Sequence, residues 1–189
     1  GVKDVPRVVP EINADHIRVI EAQRKRLGCK KGFIAVKPNC SIQSYVPALS
    51  PLRSYGIKEV NVTTFQAISG AGKTVDRWPE ILDNVIPYIG GEEEKSEQEP
   101  LKIWGELSED GSEIVHATAP VISAQCIRVP VSDGHLAAVS VSFENTPREE
   151  EITAAWANYH TVAQQLDLPS APAPFVTYFE EPDRPQTEL

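Results

Sequence analysis

The octet Arg128-Val129-Pro130-Val131-Ser132-Asp133-Gly134-His135 separates two runs of alternating side chains, and its reading decides the fold. Before it, Ile114 to Ser123 and Gln125 to Val131 are rich in β-branched residues and read as two tightly joined strands. After it, Val139, Val141 and Phe143 alternate in a further strand, with Asp133-Gly134 supplying the turn. Arg128 and His135 are seven residues apart. In one extended strand that odd spacing puts them on opposite faces, so they share a pocket only if the turn reverses the chain.

Working outward, Ile57 to Phe65 alternates through Val60 and Val62 and reads as a strand running into Gln66 and the loop Ser69-Gly70-Ala71-Gly72. With Lys73-Thr74 this loop imitates the end of a phosphate-binding loop. Ala67, however, stands where that motif needs glycine, and Pro79 spoils the helix that should follow. Val8-Val9-Pro10 reads as the end of a strand. Asn13 can cap a helix from Ala14 to Leu27, closed by Gly28 after Arg24, Lys25 and Arg26. Ile42, Tyr45, Val46, Leu49 and Leu52 follow helical spacing, with Pro47 and Pro51 as kinks or breaks. The acidic run from Glu92 through Glu97 and Glu99 to Leu107 reads as a helix with a solvated face. Thr146-Pro147-Arg148-Glu149 is a capping box starting a helix that ends near Asp167. Pro169, Pro172, Pro174, Pro182 and Pro185 make residues 168–189 an extended, mobile tail. Helices interspersed with neighbouring strands indicate an α+β domain over residues 1–189, a mixed, largely antiparallel sheet covered by helices on one face.

A chain of 189 residues with 41% hydrophobic and 24% charged residues suits one globular unit. Its net charge of -9, with no basic cluster interleaved with aromatics, argues against nucleic acid as a partner. Cys29, Cys40 and Cys126 offer neither a disulfide framework nor the paired spacing of a metal site, which points to a reducing compartment. No apolar stretch has membrane-spanning length and Gly1 to Arg7 is no signal peptide, so a cytoplasmic location is expected.

In Val36-Lys37-Pro38-Asn39-Cys40-Ser41-Ile42-Gln43, an apolar run stops at a proline, and a small polar turn delivers Cys40 to a helix start. Unpaired N–H groups at such a start favour the thiolate, the reactive form, although most lone cysteines are small buried hydrophobes. A thiol nucleophile needs a proton carrier, and His135, on a turn, suits that role better than His16, His116 or His160. Arg128 offers a planar fork for a carboxylate, while Glu92 with Lys95 can hold an ammonium and a phosphate.

Pro38 to Gln43, Phe65-Gln66-Ala67-Ile68-Ser69-Gly70-Ala71-Gly72, Asn84 to Lys95 and Arg128 to His135 together closely resemble the archaeal and fungal branch of the aspartate-semialdehyde dehydrogenases. The resemblance covers nearly the whole chain. It implies a C-terminal domain like that of glyceraldehyde-3-phosphate dehydrogenase, serving catalysis and dimerisation. An N-terminal NADP-binding Rossmann domain and a final helix are then missing, in keeping with an abrupt start and the lack of a Gly-x-Gly-x-x-Gly turn. The family reaction, in lysine, threonine and methionine biosynthesis, reduces aspartyl 4-phosphate to aspartate 4-semialdehyde with release of phosphate, through a cysteine thioester and with NADPH as hydride donor.

By resemblance Cys40 is the nucleophile, His135 the acid/base, and Gln66 the residue that orients the acyl intermediate. Arg128 grips the α-carboxylate, Glu92 the α-ammonium, and Lys95 with Asn39 the phosphate. Ser69 and Gly70 lie beside the nicotinamide, most of the NADP being bound by the missing domain. No metal is implied, and the sheet makes a homo-oligomer, dimer or tetramer. A malonyl-CoA reductase or N-acetylglutamyl-phosphate reductase would share the Cys/His pair but give Glu92 no ammonium. A cysteine hydrolase would not need Lys95 or the Ser-Gly-Ala-Gly loop, and a further alternative is that the domain, as isolated, is a dimerisation module that catalyses nothing alone.

Overall fold

The computed structural model describes residues 2–188. At its centre is β1 (Ile57–Gln66), paired in parallel with β4 (Val121–Arg128) and antiparallel with β5 (His135–Phe143), giving the order β4-β1-β5. A separate hairpin joins β2 (Glu106–Leu107) to β3 (Ile114–Val115). The main sheet is mixed, as expected, with one parallel and one antiparallel ladder, and the separate hairpin is antiparallel.

One face of the main sheet, through Val60, Val62, Ile122 and Ala124, packs against Ile42, Tyr45, Val46, Leu49, Ile103 and Trp104. These come from α3 (Val46–Leu49) with the turn before it, and from α4 (Glu92–Ile103) with the residue after it. Period-two alternation leaves the opposite face, including Asn61, Ser123, Gln125, Ala138 and Ser140, exposed.

Several boundaries differ from the sequence reading. β4 runs unbroken from Val121 to Arg128, and the interruption falls at residues 116–120, where the chain leaves the β2–β3 hairpin for the main sheet. β-propensity marks extended residues but not a change of pairing partner. The turn after Arg128 does reverse the chain, yet β4 and β5 are not neighbours. Residues 129–134 pass over the end of β1, pinned by Ile68 N–H to Val131 O at 2.9 Å and Val129 N–H to Gln66 O at 3.1 Å.

The expected N-terminal helix begins earlier, as α1 (Pro10–Asn13), a 3-10 stretch over Ala14–Val19 and α2 (Ile20–Leu27), closed by left-handed Gly28. Asn13 is no cap at the expected start. Buried, it accepts from Val9 N–H and donates to Arg7 O, both at 2.8 Å. Val8 and Val9 make no strand beyond the single bridge between Arg7 and Val36.

α4 stops at Ile103, and Glu106 and Leu107 are extended. Its acidic residues are largely acceptors rather than a solvated face. Glu97 takes the N–H of Ala124 (3.2 Å) and Glu93 that of Cys126 (3.4 Å), so they occupy the outer edge of β4, where a sheet otherwise exposes unpaired groups. Pro100 inside α4 has no N–H for the carbonyl of Ser96, and the buried Tyr45 hydroxyl donates to that oxygen instead at 2.7 Å.

The last long helix is two pieces, α5 (Glu149–Ala157) and α6 (Val162–Gln165). Glu151 accepts Arg148 N–H at 2.8 Å, placing the first cap two residues later than Thr146. A second cap forms where Gln164 accepts Thr161 N–H at 3.1 Å, which competes with continuation through residue 160. The proline-rich tail has no regular element, but it packs. The rings of Trp156 and Tyr178 lie 5.9 Å apart and those of Tyr159 and Phe175 5.5 Å.

Candidate active site

Gln66 pairs with Arg128 across one ladder and with His135 across the other, so the three stand in one row at the end of the sheet. Equal register puts their side chains on one face, and it is the helix-covered face. The order Arg128, Gln66, His135 explains how residues on opposite sides of a turn share a pocket. β1 lies between them.

Cys40 reaches this row from the covering layer. Its Sγ is 3.2 Å from His135 Nε2. The helix start expected there is only a four-residue 3-10 turn, Ser41–Ser44, broken at Tyr45 (φ -134) before α3. So short a turn carries little aligned dipole, and the imidazole is the main polar partner of the thiol. Pro47 lies in the first turn of α3, where a missing N–H costs no helical bond.

Burial pushes the His135 imidazole below its ordinary 6.5 and Arg128 adds to this, outweighing the bond to Gly134, so the ring is neutral at pH 7. Its Nδ1 lies 3.0 Å from Ala67 N–H, a donor, and 3.1 Å from Gly134 O, an acceptor. Either neutral tautomer therefore has a partner at Nδ1. A proton can sit on Nε2 facing Cys40, or leave it, without stranding the far side of the ring.

Arg128 is 5% exposed, and its Nη1 donates to Ala67 O at 2.6 Å. One N–H of its fork is thus committed; burial lowers the pKa of the guanidinium, and the negative charge of Glu92 partly offsets this. Burial opposes ionisation of Glu92, but hydrogen bonds from Lys95 and Asn39, with a smaller one from Gln66, hold its carboxyl below the usual range. Glu92 Oε1 is 2.8 Å from Lys95 Nζ, and Oε2 accepts Asn39 Nδ2 at 2.9 Å. That bond raises the Lys95 ammonium in turn. Asn39 Oδ1 takes Ser41 N–H at 2.9 Å and Ser41 Oγ at 2.8 Å, tying the turn around Cys40.

Ser69 and Gly70 are exposed on the 3-10 turn Ile68–Ala71, with Gly70 close against Arg128 and His135. A Cβ on Gly70 would lie 2.9 Å from Arg128 Nη1 and 3.2 Å from His135 Cε1, so glycine is required there by close approach. All nine residues singled out in the sequence thus gather at one end of the sheet. Two that escaped notice join them, Glu99 and Arg7. Glu99 Oε2 accepts Asn39 N–H at 2.8 Å, and Oε1 accepts Arg7 Nη1 at 2.6 Å. The spacing of seven between Glu92 and Glu99, two helical turns on one face, was the signal available for the first. Among the described residues, no group of three or more His, Cys, Asp and Glu side chains could hold a metal ion, and no helix is long and apolar enough to cross a membrane.

A half-buried thiol in reach of an imidazole, framed by an arginine and a lysine–carboxylate pair, has the make-up of a cysteine nucleophile beside a proton carrier, with charges of both signs around it. Comparison with known proteins narrows the class. Residues 49–189 match the family "Semialdehyde dehydrogenase, dimerisation domain", and the chain belongs to that family. It is 44% identical over 189 residues to an aspartate-semialdehyde dehydrogenase of Aspergillus fumigatus, covering 98% of this chain and 52% of the relative. The corresponding protein of Archaeoglobus fulgidus is 45% identical over 187 residues, with 99% and 52% covered. The crystal structure of the Candida albicans aspartate semialdehyde dehydrogenase with NADP superposes with a TM-score of 0.84 at 40% identity, over 98% of this chain and 54% of that one. Aspartate semialdehyde dehydrogenase II of Vibrio cholerae, complexed with ASA, gives 0.61 at 27% identity over 82% and 49%. The fold is that of their C-terminal domain. The chain spans about half the length of the curated relatives it matches.

Proposed function

We propose that this chain is the catalytic and dimerisation domain, residues 1–189, of an NADP-dependent aspartate-semialdehyde dehydrogenase, whose nucleotide-binding domain lies outside it. The observation that carries the reading is the 3.2 Å approach of Cys40 Sγ to a neutral His135 whose Nδ1 is served in both tautomers. The Cys40 thiolate attacks the acyl carbon of aspartyl 4-phosphate. A C–S bond forms, the C–O bond to phosphate breaks, and inorganic phosphate leaves. NADPH, when bound, supplies the hydride that reduces the thioester. His135 Nε2, neutral at the outset, takes the Cys40 thiol proton as the sulfur attacks; the imidazolium so formed gives that proton to the tetrahedral oxygen after reduction, takes it back as the thiohemiacetal collapses to aldehyde and thiolate, and returns it to the sulfur.

Around this centre Arg128 grips the α-carboxylate, Glu92 the α-ammonium, and Lys95 with Asn39 the phosphate, while Gln66 orients the acyl group from the middle of the row. The inventory of one carboxylate and two cations matches an amino-acid phosphate, which carries one ammonium and two anionic groups. Glu92 and Lys95 are paired with each other at 2.8 Å, so substrate binding exchanges this bond for one to each end of the ligand. An acyl-CoA or N-acetylated substrate brings no ammonium to take the place of Lys95 at Glu92. The NADP complex of the Candida relative supports the cofactor, and the exposed Ser69-Gly70 turn beside Arg128 and His135 is open enough to receive the reactive end of it. The uncovered sheet face, small and polar through Asn61, Ser123, Gln125 and Ser140, is the surface for a second copy.

The acyl-transfer half-reaction needs no nicotinamide and tests the reading directly. Incubation of the folded chain with aspartyl 4-phosphate is expected to release phosphate and leave a hydroxylamine-labile aspartyl adduct on Cys40 in the intact mass. An adduct that persists in Cys40→Ser, or phosphate release no faster than spontaneous hydrolysis, refutes it.

A further inference from the structure

The nucleophile lies on no strand. The apolar run before it does little to anchor it, since Phe33 and Ile34 are 50% and 51% exposed, while the 3-10 turn after it is fixed to the core by Ile42. On its Asn39 side the turn is closed by polar contacts that lead back to the N-terminal segment. Arg7 flanks Val36 through Val8 N–H to Val36 O at 2.9 Å and Val36 N–H to Pro6 O at 3.0 Å. Its guanidinium meets Glu99 at 2.6 Å, and Glu99 in turn accepts the Asn39 N–H at 2.8 Å. From one helix face, then, Glu99 holds the backbone of Asn39 and Glu92 holds its side chain.

A neutral amide would satisfy one backbone N–H at a lower desolvation cost than a carboxylate that is only 7% exposed. An ionised acceptor makes the stronger bond but places a negative charge one residue from the thiol, and Arg7 offsets it. We propose that Glu99, with Arg7 as its counter-charge, is a positioning residue for Cys40, fixing the nucleophile turn and keeping that turn electrically neutral so that the thiolate is not opposed. This rests on the reading of Cys40 as the nucleophile. Of the charged and titratable groups around this turn, His135 from β5 touches the thiol, Arg128 from β4 and Lys95 from α4 interact with it electrostatically, Glu92 and Lys37 act on His135, and Glu99 acts on Lys95 with Arg7 behind it.

The test is the pH profile of Cys40 alkylation by iodoacetamide in the folded chain, mapped by mass, with the exposed Cys29 as internal reference. Arg7→Met leaves Glu99 unpaired, and the Cys40 midpoint is expected to rise by about one pH unit, as for any thiol beside an uncompensated anion. Glu99→Gln keeps an acceptor for Asn39 N–H but leaves Arg7 unpaired, so its midpoint falls below wild type. The double variant returns to within a few tenths of a unit, and Cys29 is unmoved throughout. Arg7→Lys, which preserves the charge, stays near wild type and keeps the comparison open with Glu99→Gln should Arg7→Met not fold. Coincident Cys40 profiles in the variants that fold, or shifts of the same sign in Arg7→Met and Glu99→Gln, overturn the proposal. Failure of the nucleophile reading would show separately, as a wild-type Cys40 that forms no aspartyl adduct, because these charge shifts do not depend on substrate.

Discussion

Replacing Gly70 by alanine probes the site with one methyl group. The Gly70 backbone lies outside the left-handed region, so the substitution carries no φ penalty, and its whole effect comes from crowding. The added Cβ would sit 2.9 Å from Arg128 Nη1, 3.2 Å from His135 Cε1 and 3.3 Å from His135 Nε2, where ordinary carbon contacts need 3.4 Å or more. Arg128 cannot simply swing away, because Nη1 is committed to Ala67 O and the side chain is buried. The guanidinium and the ring must each give by a few tenths of an ångström, loosening the Arg128–Ala67 bond and lengthening the 3.2 Å contact between His135 and Cys40. Overpacking of this kind costs roughly 1–3 kcal/mol of stability, a loss of several degrees in Tm for a chain of this length. Catalysis should suffer as well: a misplacement of about 1 Å costs on the order of 10²-fold, and a shift of a few tenths of an ångström should cost a correspondingly smaller factor. The assay pairs Cys40 adduct formation from aspartyl 4-phosphate with thermal unfolding of the same sample. A Gly70→Ala variant that acylates at the wild-type rate would refute the close packing of the Ser69-Gly70 turn on the catalytic row. One whose slower acylation is matched by global unfolding would refute its local character.

Other expectations concern separate parts of the molecule. Removing the hydroxyl in Tyr45→Phe leaves the Ser96 carbonyl without a partner opposite Pro100, and urea unfolding should show a loss of about 1–3 kcal/mol with Cys40 alkylation unchanged. In the enzyme that includes the nucleotide-binding domain, Arg128→Lys should chiefly raise KM for the amino-acid substrate, because an ammonium cannot reproduce two parallel hydrogen bonds to a carboxylate. His135→Ala should chiefly lower kcat, by roughly 10²-fold to 10⁴-fold, and a change confined to KM would make it a binding residue. Burial holds His135 and His116 below their ordinary 6.5 in the folded state, so on acidification the unfolded chain takes up these protons first. Stability contributed by the two neutral rings is thus fully present above 6.5 and is lost as pH falls from there towards their folded values. The slope of unfolding free energy against pH in that window should be positive and should shrink in His135→Asn; an unchanged slope would remove the histidine from the account.

Much of this protein was legible in its sequence, and the legible parts share a cause. Left-handed Gly28 closing α2 and the alternation of β1 are decided within a few residues, by backbone sterics and side-chain periodicity, and both stand where the sequence puts them. The odd spacing of Arg128 and His135 required a chain reversal, and there is one. The four motifs also named the family before any coordinate was known. Tertiary structure alone decided which strand lies beside which. Nothing near Arg128 says that β1, some sixty residues earlier, passes between it and His135, because pairing partners are selected by burial of one sheet face as a whole. The split of the last helix and the capture of the acidic residues of α4 by Asn39 and the β4 edge depend in the same way on distant groups. Local sequence reads a run of glutamates as solvated; only the fold brings unpaired N–H groups to them, and an ionised acceptor bonds those more strongly than a neutral one would.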